Sequence, residues 1–578
     1  MVDPSVSNRS ISIAVAGSGG AGAMTTGNTL FDAAAKVGWY GILSRTVGPQ
    51  IRGGEAAALL RLSQEPSSGP DDFFDVLLAI DWKNVDRFVS EIPLNADSLI
   101  ICDDRAGDVP AAIARSGAHI VQLPISRTAR QVKKGRPNMI ALGLLAKITD
   151  IPEETVASLL ESKLSNKGEA AVQSSLETVR LGLELAADLP VMAQFAGASS
   201  DTGERWVISG NEATGLGAIR GGVRFVAAYP ITPATEVLEW LAPQLPRVGG
   251  TLVQAEDELS SINMLIGASF GGVPSLTSTS GPGLALMTES LGLAVSAEVP
   301  LVVIDVMRGG PSTGIPTKME QSDLNIAVYG LHGDAPHLVL APFSVEDCIF
   351  TTQWAVYLAE ALQTPAIVLS DQFLGQARTV IDKPANLAFI AQRKIAEEPD
   401  EDFARYSVTA DGISPMPIPG TAGGQYVADG LAHSPDGLPS TQAEHHSEQM
   451  DKRLHKLTSY NYGDHWAEVE GDGELAVISW GLAATASREA VHRLRENGMA
   501  VKFIAVRLIS PVQPEKVAAA LEGVSRLLVV ELNHSAQFCR YLKAHCDLSV
   551  EVEAFHRPSP LVIRPGEIIE KIKSWSRT

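Results

Sequence analysis

Short apolar runs recur along the chain, each followed by a glycine- or proline-rich turn and then by a stretch with helical period. Ser12 to Ala16 reads as a strand, Gly17-Ser18-Gly19-Gly20-Ala21-Gly22 as a turn, Ala23 to Val37 as a helix and Tyr40 to Leu43 as a second strand. Further strands are expected at Val76 to Ile80, Ser98 to Cys102 and His119 to Leu123, with amphipathic helices from about Asn138 to Leu189. From about Gly203 to Gly375, Phe225 to Ala228, Thr251 to Gln254, Ser275 to Thr279, Leu301 to Val306 and Ala366 to Ser370 read as buried parallel strands that alternate with helical stretches. That alternation predicts a doubly wound, mostly parallel sheet, whose ligands gather at the carboxyl ends of the strands. Periodicity lapses between about Ala391 and Gly471, a long segment rich in Pro, Gly, His and acidic residues. It resumes with Leu475 to Trp480, a helix through Val491, Ala500 to Val506 and Leu527 to Glu531. The expected fold is multidomain α/β, in keeping with 578 residues, more than one hydrophobic core can serve.

Chemistry-bearing residues cluster at the ends of the predicted central strands. Tyr229-Pro230-Ile231-Thr232-Pro233 follows the first, and Pro233 at the opening helical position would make Thr232 the N-cap, at the positive end of a helix. Glu256-Asp257-Glu258 opens the next helix, in which Leu259, Ile262, Leu265 and Ile266 are expected to pack inward. Ser280-Gly281-Pro282-Gly283 fits either close backbone approach to a cofactor ring or an ordinary strand-to-helix turn. Met307-Arg308-Gly309-Gly310-Pro311-Ser312-Thr313-Gly314 sets a cation at the start of a stiff loop, where Arg308 can meet a carboxylate. Near the N-terminus, Gly17 to Gly22 fits G-x-G-x-x-G, a turn whose N–H groups can receive phosphate. The acidic residue that would mark a ribose of NAD is not evident, since Ser44 and Arg45 follow the second strand.

Composition narrows the choice. Against 67 Asp and Glu stand 46 Lys and Arg, a net charge of -21, which argues against nonspecific nucleic-acid or anionic-membrane binding and requires a local cationic site for any anionic substrate. No apolar stretch reaches bilayer-spanning length and Met1 to Ser10 lacks a signal pattern, so a cytoplasmic, soluble protein is expected. Cys102, Cys348, Cys539 and Cys546 are scattered, which makes an iron-sulfur site within the chain untenable. His433, His445, His446, His455 and His465 lack ligand spacing and read as a polar contact surface, with no metal expected. Gly471-Asp472-Gly473 precedes a strand and reads as a turn.

The ordered set Tyr-Pro-Ile-Thr-Pro, Glu258, Ser-Gly-Pro-Gly and Arg-Gly-Gly-Pro-Ser-Thr-Gly resembles the alpha subunit of 2-oxoacid:ferredoxin oxidoreductases, in the layout of the 2-oxoglutarate enzymes. The resemblance implies four regions: a fused gamma domain at 1–197, a pyrimidine-binding domain at 203–390, an extended linker at 391–471 and a transketolase C-terminal-like domain at 472–578. It implies thiamin diphosphate as the electron sink that decarboxylation of a 2-oxoacid demands, with Glu258 as the cofactor-activating glutamate and Thr232 and Arg308 at the substrate carboxylate. Tyr229, Pro230, Ile231, Ser280 and Gly281 would contact the cofactor, and Thr313 and Lys318 would be available to a second carboxylate. Coenzyme A becomes the ligand of Gly17, Gly19, Gly20, Gly22 and Arg52, although Arg52-Gly53-Gly54 also reads as a plain tight loop. A beta subunit is implied that carries the Mg2+ and diphosphate site and an iron-sulfur cluster, with ferredoxin as electron carrier and a dimer of alpha-beta units as the assembly. The reaction is expected to be reversible. Pyruvate or branched-chain 2-oxoacid enzymes, and a noncatalytic nucleotide-binding scaffold, are the competing readings.

Overall fold

The computed structural model describes residues 10–47, 55–67, 69–193, 203–315 and 318–575. The chain divides into two compact units: residues up to Ile208 together with Ala377–Ala385, and Ser209–Gln376 together with Asn386–Thr578.

In the first unit the strands Ser10–Ser18, Val76–Ala79, Leu99–Asp103 and His119–Leu123 run parallel. Glu55–Ser63 pairs antiparallel with both Ser10–Ser18 and Tyr40–Val47. Sequence periodicity overlooks Glu55–Ser63 because its Glu-Ala-Ala-Ala-Leu-Leu-Arg-Leu-Ser has the composition of a helix; pairing on both sides overrides that propensity. Arg378–Asp382 and Arg205–Ser209 extend the sheet at one edge. The helices Pro137–Ile148, Glu153–Leu164 and Glu169–Leu185 cover the core of Ile13, Val15, Leu30, Phe31, Leu142 and Leu145, all fully buried. Gly143 and Gly182 let two of these helices touch backbone to backbone, since a Cβ on Gly182 would lie within 3.0 Å of the Gly143 Cα.

In the second unit, the order across the larger sheet is Leu508–Ser510, Leu338–Leu340, Pro365–Asp371, Leu301–Met307, Ser275–Thr279, Phe225–Ala228 and Thr251–Gln254. All neighbours are parallel except Leu508–Ser510. Strands buried on both faces explain the uninterrupted apolar runs. The five-stranded sheet that includes Leu475–Trp480, Val501–Val506 and Arg526–Glu531 shares its hydrophobic core with the larger one. Gly471 and Gly473 sit at positive φ in the connection between Ala467–Glu470 and Leu475–Trp480.

The aperiodic stretch is not a polar surface throughout. His433 is buried and stacks on Tyr406 at 3.9 Å, and His465 packs among Phe350, Trp354 and Phe389. Burial pushes both imidazoles down; His433 serves as neutral aromatic filling, whereas His465 packs against these rings yet keeps an exposed face. In the helix Ala443–Thr458, Lys452 and Lys456 reach the fully buried Glu298 at 2.5 and 2.8 Å. Burial works against the Glu298 carboxylate, but Lys456, Lys452 and Arg405 together hold it below the usual carboxylate range.

Candidate functional site

Four adjacent strands of the larger sheet end on one side, and each delivers one of the motifs. After Phe225–Ala228 the chain turns through Tyr229 to Pro233, with Tyr229 and Thr232 exposed. The Ile231 carbonyl accepts the N–H groups of Ala234 and Thr235 at 2.8 and 3.0 Å, so the turn closes over a cis Thr232–Pro233 bond. The helix therefore begins at Thr235 with Ala234 as N-cap, and Thr232 is not the cap that the Thr-Pro pattern predicts. Its carbonyl has another task, accepting from Arg308 Nη1 at 2.7 Å.

Thr251–Gln254 leads to the helix Glu258–Phe270. Asp257 is its N-cap, accepting the Ser260 N–H at 2.7 Å, a contact that holds the Asp257 carboxyl below its ordinary range. The cap leaves Glu258 in the first turn, 7 % exposed, turned toward the neighbouring helix Gly281–Ser296. A Cβ on Gly283 would lie 2.8 Å from Glu258 Oε1 and would also collide with the Thr279 hydroxyl. The glycine thus makes room for a carboxylate. The inward stripe is narrower than expected: Ile262 and Leu265 are fully buried, whereas Leu259 is 48 % exposed because Glu258 and Ser261 occupy the inner face at that level.

Ser280, N-cap of Gly281–Ser296, is fully buried, and its hydroxyl has no hydrogen-bond partner among the described residues. A Cβ on Gly281 would lie 2.6 Å from Asp323 Oδ2. Both glycines of Ser-Gly-Pro-Gly are therefore flanked by carboxylates at the positive end of a long helix. Arg308 follows Leu301–Met307, and the loop behind it closes where the Gly309 N–H donates to the Lys318 carbonyl at 2.8 Å. Thr313 is exposed on that loop and Lys318 half-buried. Periodicity also missed Asp305 and Asp323, although a lone carboxylate inside the apolar strand Leu-Val-Val-Ile-Asp-Val-Met is a visible signal for the first. Asp323, before a short helix, has the look of an ordinary cap.

The first unit holds a second candidate site. The turn after Ser10–Ser18 opens on a cleft of about 960 Å³, lined by Ser18, Gly20, Gly22 and the cations Arg105, Lys134, Arg136 and Lys167. Gly20 and Gly22 both have φ above 90°, and Gly22 caps the helix Ala23–Lys36. Gly17 is buried within the strand, Gly19 is exposed beside it, and Arg45 is exposed on Tyr40–Val47. Asp81 accepts the Ser18 N–H and hydroxyl, so both donors of Ser18 already face a carboxylate. Arg52 lies outside the described residues.

These residues fit the cofactor that the resemblance implies: an enclosed carboxylate, a glycine-made space and an orphaned hydroxyl converge at strand ends, where a heterocycle can be bonded at its edge. Comparison with known proteins gives the same class. Residues 216–452 match the family described as pyruvate flavodoxin/ferredoxin oxidoreductase, thiamine diphosphate-binding, and residues 12–185 match the pyruvate ferredoxin/flavodoxin oxidoreductase family. The chain is 37 % identical over 377 residues to the 2-oxoglutarate synthase subunit KorA of Methanothermobacter thermautotrophicus, covering 65 % of this chain and 100 % of the relative. It is 32 % identical over 472 residues to the alpha subunit of 2-oxoacid:ferredoxin oxidoreductase 2 of Aeropyrum pernix, covering 75 % and 72 %. Among solved structures, the 2-oxoglutarate:ferredoxin oxidoreductase of Magnetococcus marinus, with 2-oxoglutarate, coenzyme A and succinyl-CoA bound, matches with a TM-score of 0.91 and 36 % identity, over 98 % of this chain and 99 % of that one. The chain belongs to the 2-oxoacid:ferredoxin oxidoreductase family. It is a subunit of an oxidoreductase with a thiamine diphosphate-binding region, and no helix among the described residues is long and apolar enough to cross a membrane.

Proposed function

We propose that the chain is the alpha subunit, with a gamma domain fused ahead of it, of a 2-oxoglutarate:ferredoxin oxidoreductase. One 2-oxoglutarate, one coenzyme A and two oxidised one-electron ferredoxins give succinyl-CoA, carbon dioxide, a proton and two reduced ferredoxins. The observation that carries the reading is the buried Glu258 carboxylate seated against Gly283. When bound, thiamin diphosphate supplies the electron sink that no side chain offers. Glu258 would hydrogen-bond the aminopyrimidine ring and hold or move its proton, with Tyr229, Pro230, Ile231, Ser280 and Gly281 around the cofactor. Arg308, steadied by the Thr232 carbonyl, would meet the substrate's reacting carboxylate beside the Thr232 hydroxyl. Thr313 and Lys318 are the candidates for the distal carboxylate. The choice of 2-oxoglutarate over pyruvate or a branched-chain acid is supported by the near full-length match to the Magnetococcus enzyme.

The cleft of the first unit suits coenzyme A, whose phosphates would meet Arg105, Lys134, Arg136 and Lys167 and the open N–H groups of Gly20 and Gly22. All four cysteines are buried and dispersed, which supports an electron-carrying cluster on another chain. The expected partner is a beta subunit bearing the Mg2+ and diphosphate site and an iron-sulfur cluster, in a dimer of alpha-beta units that reduces ferredoxin and can run in reverse. The test is co-purification with such a partner and assay across a panel of 2-oxoacids. Reduction of ferredoxin fastest with 2-oxoglutarate, and its loss in Glu258→Gln with assembly intact, are expected. A complex that turns over equally well with Glu258→Gln would refute the role of Glu258, and preference for another oxoacid would refute the substrate.

A further inference from the structure

Against the turn that carries Thr232 lies an amide network that the proposed chemistry does not use. Asn211 stands in the first turn of the helix Gly210–Gly221, whose start is fixed by a reciprocal cap: the Ser209 hydroxyl accepts the Glu212 N–H, and the Glu212 carboxylate accepts the Ser209 N–H at 2.8 Å. That start is seated on the segment Gln372–Gln376, since a Cβ on Gly210 would run into the Leu374 carbonyl and one on Gly375 would lie 2.6 Å from Asn211 Oδ1. Asn211 is 1 % exposed. Its Nδ2 donates to the Pro233 carbonyl at 3.0 Å and lies 3.5 Å from Glu236 Oε2. Glu236 Oε1 accepts Gln376 Nε2 at 2.7 Å, and Gln376 Oε1 accepts Gln372 Nε2 at 3.2 Å. A carbonyl and a carboxylate, both acceptors, require the NH2 side of the Asn211 amide to face them. Its Oδ1 has no hydrogen-bond partner among the described residues. A buried amide with an unbonded oxygen costs free energy, so donation is what this position contributes.

The turn is thus gripped at two successive carbonyls. That of Thr232 accepts Arg308 Nη1 at 2.7 Å, and that of Pro233 accepts Asn211. The pyrrolidine ring fixes φ at Pro233, one of the torsions between the two carbonyls, so a shift of one is passed to the other. We propose that Asn211 is a positioning residue for the anionic substrate: by holding the Pro233 carbonyl it keeps the Thr232 carbonyl where Arg308 rests on it, and so sets the direction of the guanidinium. The inference rests on the reading of Arg308 as the cation for the substrate carboxylate. Glu236 and Gln376 act at one remove, Glu236 by facing the second N–H of the amide and Gln376 by fixing Glu236. Without the Asn211 donor the Pro233 carbonyl is left unpaired, and the turn can rotate toward another donor. Arg308 then keeps its charge and loses its direction, which matters for a planar fork that meets a carboxylate edge to edge.

The experiment is a double-mutant cycle in the assembled enzyme, read as KM and kcat for 2-oxoglutarate and KM for coenzyme A. Asn211→Ala should raise KM for the oxoacid about tenfold, with a smaller fall in kcat and KM for coenzyme A within about twofold. A merely structural role would lower the yield of active enzyme and leave both Michaelis constants in place. Arg308→Met should raise KM for the oxoacid further, and adding Asn211→Ala to it should raise KM no more, because the two residues act as one unit. Asn211→Asp, of the same size but with acceptors in place of the N–H groups, should repeat the rise, and it decides the matter if Asn211→Ala fails to assemble. An unaltered KM in an assembled Asn211 variant, or effects of Asn211→Ala and Arg308→Met that multiply in the double variant, overturns the proposal while the reading of Arg308 stands. If Arg308→Met itself leaves KM unaltered, that reading is wrong and the role of Asn211 falls with it.

Discussion

The chain contains two strand, glycine-turn, helix junctions that look alike in sequence and work on different physics. In Gly17 to Gly22 conformation matters: Gly20 and Gly22 stand at φ 96° and 93°, a region that costs an L side chain about 1–2 kcal/mol, and only at Gly22 would a Cβ also strike a neighbour, Asn138 Cγ at 2.6 Å. A Cβ on Gly20 would meet nothing within 4 Å. In Ser280 to Gly283 neither glycine has a positive φ, and each is small because a carboxylate, Asp323 or Glu258, occupies the space of its side chain. The first turn exposes backbone donors to a basic cleft. The second buries acids against a helix start. A glycine-rich turn thus announces a ligand site without saying whether the ligand is met by the backbone or by what the missing side chain admits.

Breaking the second junction should have the largest effect. Gly283→Ala must displace the Glu258 carboxylate or the Thr279 hydroxyl, and a displacement of about 1 Å at a reacting group costs about a hundredfold in rate. The expected outcome is such a loss in kcat with normal assembly, together with a raised concentration of thiamin diphosphate for half activation. Retention of more than a tenth of the activity would mean that Glu258 is not held by this contact.

Much of this was legible before the structure, for a physical reason. Phe225–Ala228, Thr251–Gln254 and Ser275–Thr279 have the same ends in sequence and in space, because each short run of strand-forming residues is closed by a turn rich in Pro, Gly or acidic residues. The candidate residues sit at strand ends, and those ends are marked by the turn residues that follow them. What could not be read was set by tertiary contacts. The Thr232 turn depends on which carbonyl takes the Ala234 N–H, and the pairing of Glu55–Ser63 depends on two distant strands. Asp323 owes its place to Gln321, whose partners lie at Trp480 and Leu532, far along the chain. The cations of the cleft come from three separate elements and share no motif.

The first junction should yield a smaller and different loss. Lys134→Ala with Arg136→Ala removes two of the four cleft cations, and each exposed phosphate contact is worth about 1 kcal/mol or less. The expected result is a rise of about tenfold in KM for coenzyme A. KM for the oxoacid, measured in the same preparations, should stay within about twofold. An equal change in both constants would place the coenzyme elsewhere.

Gly20→Ala is the sharpest and smallest test, because it separates conformation from space. The added methyl has no neighbour to strike, so any effect must come from holding alanine at φ 96°. That strain, about 1 kcal/mol, should lower the unfolding midpoint of the first unit by about 3 °C, seen as faster amide exchange in Ala23–Lys36. Saturating turnover should hardly move, since the carboxylates at Ser280 to Gly283 are untouched. Gly283→Ala should do the opposite, with a collapse of turnover and little strain in its own backbone. If Gly20→Ala instead abolished turnover while Gly283→Ala only softened the fold, the assignment of conformation to one turn and space to the other would have to be exchanged.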